Sequence, residues 1–259
     1  MWSLFLLLGI VVGATGTLVG AGGGFLLVPV LLHMSPESSG SQIAALSMLV
    51  VVFNAASGSF AYARKKQIHW ASALLFSAAA GPGVWLGIRL GHQVTRASFE
   101  LVFGVFLSLM AIYIFIRSRR YKRRPEPEKI EFNKKTAALG TVISFGVGVF
   151  ASFLGIGGGI IHVPLLSELL GFPVHLATGT SHMILALTAG LAVYDHWQSG
   201  IYSPLADFAP MLILGVVIGA QIGARHSKRV SSERILQILS MALLIVGLRL
   251  VARALGSIG

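Results

Sequence analysis

The chain of 259 residues is 55% hydrophobic and only 11% charged, with a mean hydropathy of +0.81. A soluble domain carries roughly 25% charged residues, so nine acidic side chains cannot cover a water-facing surface, and lipid is the solvent this composition suits. The formal charge of +11 does not point to a nucleic-acid partner, because Arg117, Arg119, Arg120, Lys122, Arg123, Arg124, Lys129, Lys134 and Lys135 sit in one polar stretch between apolar regions, the pattern of the positive-inside rule.

In chain order the apolar segments run 2–33, 42–63, 70–91 and 98–117, then a basic linker 118–135 with Pro125 and Pro127, then 136–170, 175–197, 204–224 and 231–254. Most are near the ~20 residues that cross a hydrocarbon core. Backbone groups in lipid need internal partners, so the segments are expected to be helices, and their continuous hydrophobicity excludes an alternating barrel pattern. The expected fold is an all-α integral membrane protein of about eight segments. No Lys or Arg precedes the stretch from Trp2 to Ala14, so a cleaved signal peptide is not expected. The chain has no cysteine, which removes disulfides and Cys-ligated metals.

The two halves repeat each other. Gly20-Ala21-Gly22-Gly23-Gly24 corresponds to Gly155-Ile156-Gly157-Gly158-Gly159, and Val28-Pro29 to Val163-Pro164 at the same offset. Ser47 falls beside Ser181, and Gly83, Gly87 and Gly91 match Gly215, Gly219 and Gly223. This order over most of the chain predicts a duplication: residues 1–117, the linker 118–135, and residues 136–259. Segments 2–33 and 136–170 are too long for one span and are broken by glycine. If both are re-entrant, the halves are inverted, and every Lys and Arg except Arg89, Arg96, Arg249 and Arg253 falls on one side. If both span fully, the halves are parallel and the basic side holds 64–66, 118–135 with Arg117, Arg249 and Arg253. The inverted arrangement segregates the charge better and puts the linker in the cytoplasm of a bacterial-type inner membrane.

Consecutive glycines inside an apolar segment cost about 1 kcal/mol each in helix stability relative to Ala. Two such clusters, each followed by Val-Pro, read as helix breaks at membrane depth. The free N–H groups and dipole of the second half-helix favour an anion there. Pro29 and Pro164 then fall within roughly the first two turns of the second half-helices. The competing reading is close helix packing through small residues.

The duplicated Gly-x-Gly-Gly-Gly-x4-Pro, with Ala177-Thr178-Gly179-Thr180-Ser181 after the second copy, resembles the TauE/SafE sulfite exporter family, of the toluene-sulfonate uptake permease type. The resemblance covers nearly the whole chain. It implies secondary transport of small anions such as sulfite, thiosulfate or organosulfonates, without ATP. The first half departs from the pattern, reading Ile43-Ala44-Ala45-Leu46-Ser47, so only Ser47 matches there.

The candidate substrate contacts are Gly22, Gly23, Gly24, Ser47, Gly157, Gly158, Gly159, Thr180, Ser181 and His182. The hydroxyls can donate to an oxyanion, or bond back to their own helix. Secondary or coupling candidates are His162, Asn54, Arg89, Gln221 and Glu168, the last expected to be the deepest carboxylate. Arg89 lies near a helix end, where Arg commonly snorkels. No cofactor, metal site or catalytic residue is expected: there is no Walker A, GxSxG or HExxH motif, and Ser181 and His182 project about 100° apart on one helix. A small anion and the bilayer are the expected partners. A channel, a homo-oligomer and, less in keeping with the motifs, an intramembrane enzyme stay open at this point.

Overall fold

A helix satisfies its backbone within one segment, which hydrocarbon requires, and the chain is built accordingly. The computed structural model describes residues 2–120, 132–201, 204–226 and 233–258, and contains helices and turns but no strand among them. The helices are α1 (Trp2–Val19), α2 (Gly24–Met34), α3 (Gly40–Arg64), α4 (Trp70–Gly91), α5 (Arg96–Arg120), α6 (Lys134–Leu154), α7 (Gly159–Pro164), α8 (Val174–Gln198), α9 (Ala209–His226) and α10 (Glu233–Ile258). Among the described residues, seven helices are long and apolar enough to cross a membrane: α1, α3, α4, α5, α6, α8 and α9. The eighth expected segment, 231–254, corresponds to α10. Residues 121–131 of the basic linker lie outside the described residues.

Local chemistry sets the helix ends. Ser39 starts α3 with a capping box to Gln42, and Asn133 starts α6 with one to Thr136. At α4 the His69 side chain accepts the Ser72 N–H. Burial holds this imidazole below its usual pKa, which favours the neutral form that can accept. Pro164 stands where α7 widens into a π turn over Leu165–Leu169; a proline lacks the N–H that the regular ladder needs.

Glycine-lined contacts fix the helix directions. A Cβ on Gly9 would meet Leu212 and Gly215, one on Gly13 would meet Val216, and one on Gly223 would meet Ala14 and Thr17. Residue numbers rise together, so α1 and α9 are parallel. Gly83 meets Phe145 and Val149, and Gly87 meets Val149 and Phe153, so α4 and α6 are parallel too. In contrast Gly58 meets His182 while Gly179 meets Tyr62 and Gln67, so α3 and α8 are antiparallel. Gly104 meets Gly247 and Val251, while Arg253 reaches Glu100, so α5 and α10 are antiparallel as well. GxxxG rows on α1, α4 and α9 let the parallel pairs approach, and single glycines, Gly58, Gly179, Gly104 and Gly247, do so for the antiparallel ones.

The bundle is apolar outside and partly polar within. Trp2, Leu7, Val142, Trp197 and Ile245 are each more than half exposed, whereas Thr17, Ser47, Asn54, Thr180, Ser181 and His182 are fully buried. A water-soluble globule reverses this preference. It suits a lipid surround, where exposed hydrocarbon costs nothing and buried polar groups bond to one another.

Candidate functional site: the paired helix breaks

The site begins with how α1 and α6 end. Gly20 takes φ 78° and Gly155 φ 71°, the left-handed conformation that glycine adopts without a Cβ penalty. Gly20 N–H donates to Thr17 O and Ala21 N–H to Gly16 O; Gly155 N–H donates to Ser152 O and Ile156 N–H to Ala151 O. Each pair is a Schellman closure. The next two glycines then turn the chain back: φ is 75° and 82° at Gly22 and Gly23, and 75° and 83° at Gly157 and Gly158. After the reversal α2 and α7 start at Gly24 and Gly159. A Cβ on Gly23 would lie 2.6 Å from Val12 Cγ1, so α2 doubles back along α1.

The two breaks face each other. A Cβ on Gly24 would lie 2.9 Å from Gly155 O, and one on Gly159 2.6 Å from Gly20 O. Ser47 Oγ donates to Gly155 O at 2.7 Å, and Ser181 Oγ donates to Gly20 O at 3.1 Å. Each serine thus supports the break in the other half of the sequence. The hydroxyls proposed from sequence as anion donors are occupied by these carbonyls. Ser181 also lies 3.3 Å from Gly159 O. None of the turn and loop backbone hydrogen bonds engages the N–H groups of Gly23, Gly24 or Phe25, nor those of Gly158, Gly159 or Ile160. A helix offers no acceptor one turn before its own start, so these donors have no backbone partner.

A buried polar chain runs from the first break. Asn54 Nδ2 donates to Gly22 O at 2.7 Å, and Thr17 Oγ1 donates to Asn54 Oδ1 at 3.1 Å. His182 Nε2 lies 3.3 Å from Thr17 Oγ1, and Tyr62 OH donates to Thr17 O at 2.8 Å. His182 also packs against the Tyr62 ring edge. Sequence reading missed Thr17 and Tyr62, since neither carries a motif. Thr180 is placed differently from its neighbours: its Oγ1 accepts the His69 N–H at 3.0 Å. Near the second break, His162 Nε2 pairs with Ser144 Oγ at 3.3 Å.

The remaining candidates lie elsewhere. Arg89 is exposed, with its guanidinium over the Trp85 ring at 4.8 Å. Gln221 Nε2 donates to Ser57 O and Ser57 Oγ, joining α9 to α3. Glu168 is not the deepest carboxylate: its side chain is 42% exposed and pairs with Arg117 at 3.0 Å. Burial belongs instead to Glu100, whose side chain is 4% exposed and bonds Arg96 at 2.7 Å. The π turn carries Glu168 outward. Among the described residues no group of three or more His, Cys, Asp or Glu could hold a metal ion.

Comparison with known proteins finds membrane transporters. The family model for the sulfite exporter TauE/SafE matches residues 5–250. The probable membrane transporter protein YunE of Bacillus subtilis is 28% identical, over 96% of this chain and 96% of its own. A probable membrane transporter protein of Haemophilus influenzae is 31% identical, over 70% of this chain and 67% of its own. The Sulfite exporter TauE/SafE family protein 3 of Arabidopsis thaliana is 31% identical over 51% of this chain and 28% of its own. No solved structure matches the chain. With a family match spanning both helix breaks, the chain belongs to the TauE/SafE sulfite exporter family and is a multi-pass membrane transporter, not an enzyme.

Proposed function

We propose that the protein is a secondary transporter of small sulfur-containing anions, such as sulfite, thiosulfate or organosulfonates, working by alternating access between two inverted units. The units are residues 1–117 and 136–259, joined by the linker 118–135. The observation that carries this reading is the pair of matching breaks: same glycine conformations, same Schellman closures, unspent N–H groups, opposed across one junction. The antiparallel course of α3 and α8, whose serines occupy matching sequence positions, supports inversion. Half-helix N-termini at mid-membrane carry partial positive charge suited to an anion.

The amides around Gly22, Gly23 and Gly24 and around Gly157, Gly158 and Gly159 cradle the anion. Ser47 and Ser181 set the breaks, and each can turn toward substrate when the carbonyls separate. Thr17, Asn54 and His182 form the polar wall at the first break, His162 stands with Ser144 near the second, and Thr180 holds the His69 amide. Arg89, Gln221 and Glu168 serve the scaffold. A cradle of dipoles without a full positive charge binds weakly enough to release its cargo. The Lys and Arg distribution supports a bacterial-type inner membrane with Arg64, Lys65, Lys66 and the linker in the cytoplasm. No cofactor enters this mechanism.

The test is flux of labelled sulfite into proteoliposomes, with sulfoacetate and sulfate as competitors. Saturable uptake suppressed by one competitor is the expected result. Uptake that rises linearly with concentration would turn the reading toward a channel. No uptake above empty liposomes, from monodisperse protein and with a pH gradient of either sign, would remove the sulfur-anion assignment.

A further inference from the structure

Two apolar side chains stand where the anion of the preceding reading would sit. Val51 on α3 and Leu185 on α8 occupy matching positions, each four residues beyond the matched serines Ser47 and Ser181. Both are fully buried. The two Leu185 methyls divide between the breaks: Cδ2 abuts Gly22 and Cδ1 abuts Gly157. Val51 does the same from the other helix. Its Cγ1 would lie 3.4 Å from a Cβ on Gly22 and 3.0 Å from one on Gly157, and its Cγ2 3.1 Å from one on Gly24. The middle glycines of both breaks are therefore covered by hydrocarbon from a matched pair of residues.

The pair also stands between a hydrogen-bonded polar chain and an apolar cluster. Toward the end where α3 meets α4 lie Asn54 and His182, in the hydrogen-bonded chain to Gly22. Toward the opposite end Met48, Val84, Ile88, Ala189 and Ala192 join the pair in one buried apolar cluster, and the two hydroxyls on that side, Ser47 and Thr188, are bonded to the Gly155 and Ile184 carbonyls. A hydrocarbon constriction of this kind excludes water, and an anion that loses its hydration without new donors meets a steep barrier. The glycines that let the breaks form also let Val51 and Leu185 close against them, since a Cβ at Gly22 or Gly157 would occupy the space of the Leu185 methyls.

We propose that Val51 and Leu185 form the apolar gate between the two breaks, and that their bulk sets the size of anion admitted. The proposal rests on the transport reading above. Opening requires the pair to part, which uncovers the N–H groups of both breaks at once and links substrate access to movement of α3 against α8. Size selection follows from the same contact: a smaller residue at 185 leaves room for a substituent on the sulfur.

The experiment uses the full chain in proteoliposomes and compares wild type with Leu185→Ala, Val51→Ala, the double variant and Leu185→Met. Rates are read for labelled sulfite, for the bulkier sulfoacetate, and for chloride leak. Leu185→Ala is expected to raise the sulfoacetate-to-sulfite ratio about tenfold, the scale on which removed methylenes act in an apolar pocket. The double variant is expected to add a chloride leak that competitors do not block. Leu185→Met conserves volume and is expected to stay within about twofold of wild type. Monodisperse alanine variants with the wild-type ratio and no leak overturn the gate and leave the transport reading standing. If Leu185→Ala is not monodisperse, Val51→Ala and Val51→Phe decide: the ratio must rise in the first and fall in the second, and an unchanged ratio in both overturns the proposal. A wild type that carries neither sulfur anion, beside a double variant that leaks chloride, removes the substrate assignment and retains the gate.

Discussion

At Gly23 the backbone has φ 82°, and an added Cβ would lie 2.6 Å from Val12 Cγ1 and 2.7 Å from Val12 O. Replacement by alanine adds about 1–2 kcal/mol for the left-handed conformation, and the carbonyl cannot yield without opening α1. Gly23→Ala is therefore expected to reach the membrane fraction at wild-type level while losing most sulfite flux in reconstituted vesicles. Gly171 supplies the contrast. Its φ is 69°, but nothing lies within 4 Å of its Cβ position, and asparagine tolerates this conformation. Gly171→Asn should retain flux within about twofold of wild type; its loss in the same assay would show that backbone strain alone, without crowding, disables the protein. The glycines were legible in the sequence because their need is local. The serines were legible only as positions. Ser47 and Ser181 find their acceptors more than a hundred residues away, and sequence order does not disclose which carbonyl lies opposite.

Among the elements, α5 has a bracing role that no motif announces. At its start, the Arg96 guanidinium donates to Leu32 O, Ser35 O and Ser38 O at the end of α2, and bonds Glu100. Toward its other end, Arg117 bonds Ser167 and Glu168 in the π turn that extends α7. One long helix thus holds the far ends of both returning arms, on opposite sides of the bundle. The two attachments differ in burial and so in energy. Arg96→Ala leaves the buried Glu100 carboxylate with only the longer contact to Arg253 at 3.6 Å, strips the end of α2 of its donors, and is expected to cost about 2–3 kcal/mol. In detergent that corresponds to a melting temperature lower by about 5 °C or more, with part of the loss recovered in the Arg96→Ala/Glu100→Gln double variant. Glu168→Gln weakens a half-exposed pair and should cost about 1 kcal/mol or less. Equal shifts for Arg96→Ala and Glu168→Gln in the same thermal scan would contradict this division. Hydropathy alone made Glu168 look the deeper carboxylate. The π turn that exposes it depends on how Pro164 is accommodated, which periodicity does not report.

For the molecule as a whole, orientation is the property most open to direct measurement. The wild-type chain has no cysteine, so single cysteines report their side without background. Arg64→Cys at the end of α3 and Ser199→Cys after α8 stand at corresponding places in the two proposed units, both exposed. A membrane-impermeant maleimide applied to intact cells should label Ser199→Cys, and should label Arg64→Cys only after permeabilisation. Labelling of both from the same face would overturn the inverted arrangement.

The sequence by itself determined the solvent, the helical class, the two glycine breaks and the family, because each follows from composition or from the local need for glycine at positive φ. It also carried the charge segregation on which the proposed orientation rests. Only the tertiary structure decided what meets at the breaks: the crossed serines, the chain from Gly22 through Asn54 and Thr17 to His182, and the hydrocarbon of Val51 and Leu185 over the glycines. Those partners come from helices far apart in the chain. The packing of α1 on α9, α4 on α6 and α3 on α8 brings them together, and one-dimensional spacing has no term for that packing.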